Sequence, residues 1–254
     1  MKTTSFNKNA RNTQRGFTLV EIAIVLMIIG LLIGGVLRGQ ELITSARVRN
    51  MVDQKVAIQA AIIAFQDRFK MLPGDLGATQ VVIVGGGALV AQTPGDGLVT
   101  VGMVGANING DSGVMFQNLN AAGFISCAQC AGTAGGATSD TTNTMTNTFG
   151  DYLWYGNIAG TLTGPWWDAA GVNARKALGT GSSTSSQVLA ELDRKADDGV
   201  PASGQLRVGT YSGSVIATCS PSTGVLTAAA TVAQIAATTW ANPAQDNCAG
   251  TWLL

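Results

Sequence analysis

The chain has 254 residues, 46% hydrophobic and 12% charged, which excludes a disordered, highly charged tail protein. Its 15 Lys and Arg balance 15 Asp and Glu, which speaks against a general nucleic-acid binder. There is no histidine, so Ser-His-Asp and Cys-His catalysis, histidine-ligated metals and histidine pH switching are all removed.

Lys2, Lys8, Arg11 and Arg15 make the first sixteen residues basic, with no acid among them. Residues 17–72 carry six bases and four acids, and residues 73–254 carry five bases and eleven acids. A basic head, an apolar segment and a mildly acidic body describe a chain that begins at a membrane. Residues 17–37, FTLVEIAIVLMIIGLLIGGVL, hold Glu21 as their sole charge. As a helix they span about 31 Å, close to a hydrocarbon core of about 30 Å. A secretory signal has a shorter apolar stretch, about 7–15 residues, ending in a small-x-small cleavage site. Here Arg38-Gly39-Gln40 follows and the helical pattern continues, so the segment is predicted to stay in the working protein. Four Lys and Arg precede it and four follow closely, and the unopposed leader bases favour a cytoplasmic N-terminus.

No proline interrupts residues 17–70, and Pro73-Gly74-Asp75 supplies a stop. Past the apolar span, Val48, Met51, Ile58, Ile62, Phe65, Phe69 and Leu72 recur at helical steps and form one stripe. The predicted helix of 54 residues would be about 81 Å long, more than the remaining chain can bury. Its first half must be covered by lipid or by other copies. Gly30 and Gly34, and Gly35 and Gly39, sit at i, i+4, the spacing that lets membrane helices approach closely. Glycine is also commoner in membrane helices generally, so this spacing has a second reading.

After Pro73 come 28 of the 33 glycines, which favours short strands, turns and long loops. A strand is predicted at 81–84, a short helix at 112–122, a helix at 186–198, and a hairpin from 205–210 and 214–219 around Ser212-Gly213. Residues 133–148 are small, polar and repetitive, and read as a surface loop. All five tryptophans follow Tyr152, which places the densest packing in the last hundred residues.

Cys127, Cys130, Cys219 and Cys248 allow three disulfide connectivities, of which Cys127–Cys130 with Cys219–Cys248 is favoured. A four-cysteine zinc site is the alternative, with only one C-x-x-C to support it. Asn107, Asn109 and Asp111 alternate like the start of a calcium loop, and Asp193, Asp197 and Asp198 cluster. Neither continues into a full calcium signature, and turn formation or helix capping explains both. No phosphate-binding loop, dinucleotide fingerprint or nucleophile elbow is present, so no enzyme activity, cofactor or specific nucleic-acid site is expected.

The junction Arg15-Gly16-Phe17-Thr18-Leu19-Val20-Glu21 resembles the class III signal of type IV prepilins and pseudopilins. Phe69-Lys70-Met71-Leu72-Pro73-Gly74-Asp75 is similar to the helix-to-head junction of many prepilin-like proteins, and Asp193-Arg194-Lys195-Ala196-Asp197-Asp198-Gly199 to a recurring head segment. The resemblance implies a leader at 1–16, a long helix at 17–72 with 17–37 as membrane span and filament core, and a head at 73–254. The fold implied is α+β, with the helix packed on a small, loop-rich antiparallel sheet. An inner-membrane prepilin peptidase and N-methyltransferase would cut after Gly16 and methylate Phe17. Glu21, the fifth mature residue, would pair with the Phe17 amine of a neighbouring copy and set the register. A dipole-favoured helix N-terminal acid, or one paired with its own amine, is the plainer alternative. Where many pilins have proline this chain has Arg38, so local melting would fall to Gly34 and Gly35. The implied product is a homo-oligomeric or mixed filament with the heads outermost, built at an assembly platform and extracellular or periplasmic. The alternatives are a type II secretion pseudopilin, some of which bind calcium in the head, or a minor pilin acting as an adhesion module.

Overall fold

The computed structural model describes residues 16–84, 97, 99, 111–131, 143–158, 175–209, 216–221 and 237–254. Helix α1 runs Leu19–Phe69, 51 residues and about 77 Å long. It ends where Lys70 turns into the left-handed region at φ 56°, and Pro73 with Gly74 (φ 93°) prevents its resumption. The chain divides into two compact units, Met1–Ile43 and Thr44–Leu254. In the first, every large apolar side chain from Phe17 to Ile43 is exposed.

The second unit begins with the remainder of α1. Val48, Met51, Ile58, Ile62 and Phe65 are buried, so the sequence stripe is the buried face, joined by Ala61. The rings of Phe65 and Phe69 lie 4.7 Å apart, with Phe124 against both. Helix α2 is Ala78–Val84 and α3 is Asp111–Ala121, followed by a 3-10 turn at Gln129–Ala131. Strands β1 (Trp154–Ile158), β2 (Arg175–Gly179), β3 (Leu206–Gly209) and β4 (Ala249–Leu253) form one antiparallel sheet in the order β1-β2-β4-β3. Helix α4 (Ser186–Ala196) starts on an N-cap, Ser185, whose Oγ accepts from Val188 N at 3.4 Å. Helix α5 is the short Ile216–Cys219.

The last strand of the chain is an inner one. Trp252 of β4 stands opposite Leu178 of β2 on one side and Leu206 of β3 on the other, and all three are buried. Two disulfides, Cys127–Cys130 and Cys219–Cys248, join the cysteines, the second tying α5 to the residue before β4. The fold is therefore α+β and pilin-like: a long apolar N-terminal helix and a four-stranded antiparallel sheet.

Three local expectations are corrected. Residues 81–84 are helical, because Gly77 O accepts from both Gln80 N and Val81 N and starts a turn. Val81 and Val84 are buried while Val82 and Ile83 are exposed, a helical burial period where a strand would alternate. Of the expected hairpin, residues 210–215 lie outside the described residues; its first strand, β3, pairs with β4 instead, and 216–219 of its second is helix α5, tied by the disulfide from Cys219. The stretch read as a surface loop lies partly outside the described residues, but Asn143, Thr144 and Asn147 are buried. Asn147 satisfies itself internally, accepting from Phe149 N and Asp151 N and donating to Thr180 O. Trp154 and Trp252 are among the largest fully buried side chains, and Trp166 and Trp167 lie outside the described residues.

Gly179 faces Trp154 across β1 and β2, and a Cβ there would overlap the indole at Nε1 and Cε2. Gly179→Ala is expected to destabilise the chain by about 1–3 kcal/mol through overpacking. Guanidinium unfolding followed by tryptophan fluorescence reads this; an unchanged midpoint would refute the close-packed Trp154–Gly179 pair.

Candidate functional site

The candidate site is the N-terminal segment from Gly16 to the end of the first unit. Gly16, Phe17 and Thr18 precede the helix and are exposed, Phe17 at 79%. Thr18 caps α1: its Oγ1 accepts from Glu21 N at 3.2 Å and its carbonyl from Ile22 N at 3.3 Å. The Gly16–Phe17 peptide bond therefore lies in exposed, non-helical backbone. The cap was legible in the sequence as Thr-x-x-Glu, the spacing of a capping box, in which the acid also sits at the positive end of the helix dipole. Thr18 is the residue that sequence reasoning passed over.

Glu21 is exposed, and no cation pairs with it among the described residues. Gly30, Gly34, Gly35 and Gly39 lie within α1, and a Cβ at any of them would meet nothing within 4 Å. Each costs a helix about 1 kcal/mol relative to alanine. No contact in the described chain requires glycine at these positions. Arg38 Nη1 and Glu41 Oε2 form an ion pair at 2.6 Å, with side chains 75% and 68% exposed.

The other sequence candidates are separate from this segment. Asp111 opens α3, and Asn107 and Asn109 lie outside the described residues. Asp193, Asp197 and Asp198 do come together, with carboxylate oxygens within 4.8 Å. Asp193 accepts from Gly199 N and Trp240 Nε1, Asp198 from Val200 N and Ser203 Oγ, and Asp197 Oδ2 from Gln205 N and Leu206 N. Only Asp197 Oδ1 is left without a donor among the described residues, whereas calcium takes about 6–8 oxygen ligands. These hydrogen bonds close the end of α4 onto the start of β3. Close by, Lys195 Nζ donates to Ser45 Oγ and Ser45 O on α1, and pairs with Glu191 at 2.6 Å.

A model of the prokaryotic N-terminal methylation motif matches residues 11–37. No curated protein and no solved structure matches the chain. The motif is the signature of type IV pilins and pseudopilins, a structural class whose members are processed by a prepilin peptidase and assembled into pilus-like filaments. The motif and the apolar helix together suit anchoring in a membrane before assembly.

Burial pushes the Asp193 carboxyl up from an ordinary 3.8 to about 6, assisted by Asp198 and Asp197 and opposed by the Trp240 and Gly199 hydrogen bonds. A raised carboxyl favours the fold when protonated. Its contribution is full below about pH 3.8 and is lost as pH rises through about 6. Relative to Asp193→Asn, the wild-type denaturation midpoint is expected to fall between about pH 4 and 6.5 and then run parallel. Parallel profiles throughout that window would contradict the burial of this carboxylate.

Proposed function

We propose that the chain is the precursor of a type IV pilus-like filament subunit, cut between Gly16 and Phe17 and assembled through α1. The observation that carries this reading is the overlap of the methylation motif with the apolar first half of α1, whose large apolar side chains are all exposed. In this reading residues 1–16 are the leader, and Phe17 becomes the N-methylated first residue. The apolar half of α1 passes from lipid into a bundle of copies. That exchange replaces one apolar medium by another, so packing and charge pairing select the register. Glu21 is then the register residue: one turn from the new amine, it pairs with the N-terminus of a neighbour. A carboxylate left unpaired at the bilayer centre costs about 2.5–3.5 kcal/mol on insertion scales. Gly30, Gly34, Gly35 and Gly39 serve close helix approach, which agrees with the absence of any contact requiring them among the described residues. The partners are other pilin copies, the peptidase and an assembly platform. Retention of Glu21 and of the whole motif applies equally to a secretion pseudopilin.

N-terminal sequencing of the mature protein is expected to begin at Phe17, N-methylated; an intact Met1 in peptidase-positive cells would refute processing. Glu21→Ala is expected to remain in the membrane and lose assembly, read from sheared filaments. Normal filaments from that variant would refute the register role.

A further inference from the structure

Beyond its first turn, the exposed part of α1 carries two charges, Arg38 and Glu41, one helical turn apart and joined at 2.6 Å. Gly30, Gly34, Arg38 and Glu41 follow one another at steps of four, four and three, which places them on one helix face. In water such a pair contributes little, because solvent screens both charges. Burial changes this. A lone guanidinium or carboxylate moved into an apolar medium bears its whole desolvation cost, whereas the joined pair carries no net charge inward.

We propose that Arg38 and Glu41 form a self-neutralised pair that allows this turn of α1 to be buried against a second copy of the chain. The inference rests on the filament-subunit reading. A second copy is favoured over a lipid phosphate by charge: Glu41 already occupies the guanidinium and would repel a phosphate approaching it. Large apolar side chains surround the pair along the helix, Ile33, Val36, Leu37, Leu42 and Ile43, all exposed in the single chain. They are the surface that a neighbouring helix of the same composition would cover. Arg38 and Glu41 are positioning residues in this scheme, each acting by cancelling the other.

The test uses the full-length chain in cells that hold the peptidase and assembly machinery, reading sheared filaments against processed subunit in the membrane. Arg38→Gln and Glu41→Gln are each expected to lower that ratio by about tenfold or more. Arg38→Gln/Glu41→Gln and the reversed Arg38→Glu/Glu41→Arg are expected to recover to within about threefold of wild type. Single variants that assemble like wild type would overturn the proposal. So would double and reversed variants no better than the singles, the pattern of a headgroup anchor at Arg38. A wild-type chain that is processed yet never forms filaments would overturn the subunit reading itself, and the role of the pair with it.

Discussion

An apolar helix surface that the described part of its own chain leaves bare is the constraint on which the rest depends. From Phe17 to Ile43 the large apolar side chains are exposed around the whole helix. Such a surface is far larger than the few hundred Å² of contiguous apolar patch that soluble monomers usually show. Lipid covers it at no cost in backbone hydrogen bonds, since an α-helix satisfies its own. In the filament-subunit reading other copies cover it equally well, and glycines that no contact within the described chain requires then gain a use in close helix approach. Membrane anchoring and assembly are then two solutions to one burial problem.

The second half of α1 solves the same problem differently. Its stripe is buried in the unit Thr44–Leu254, and polar links fasten its other faces. Gln54 donates to Thr146 O, Thr148 to Arg47 O, Lys55 to Gln205 and Lys195 to Ser45. These links come from three stretches distant from α1 in sequence, around 146–148, 195 and 205, and converge on one helix. Burial lowers the Lys55 ammonium from its ordinary 10.5, with Asp197 acting against that shift. The acid cluster at the end of α4 therefore does structural work twice, by capping turns and by steadying a half-buried lysine.

Legibility in the sequence followed the range of the interaction. The apolar span and the stripe from Val48 to Phe65 rest on periodicity within one helix, and both were readable. Helix α4 was readable too, since Ser185 caps it and Gly199 follows it. The strand expected at 81–84 failed because β-branched residues suit either state, and the carbonyl of Gly77 decided the matter. The hairpin failed because β3 has a partner that enters about forty residues later, a pairing that no local turn chemistry specifies. The buried Asn147 looked like loop composition because its partners, Asp151 and Thr180, lie beyond the repetitive stretch. Within the site, the methylation motif over residues 11–37 was legible from residue types alone. The pairing of Arg38 with Glu41 needed the helix to be placed first.

Whether copies of the chain replace lipid around α1 can be read from one labelled position. Ile28→Cys places a thiol in the middle of the exposed apolar stretch, and Ala244→Cys places one on the exposed surface of the other unit. Detergent-free sheared filaments of each variant are treated with a charged, membrane-impermeant maleimide. Burial between copies requires the thiol at 28 to stay unlabelled while that at 244 reacts fully. Equal labelling at both positions would contradict it, because a thiol packed between copies is shielded from a charged reagent.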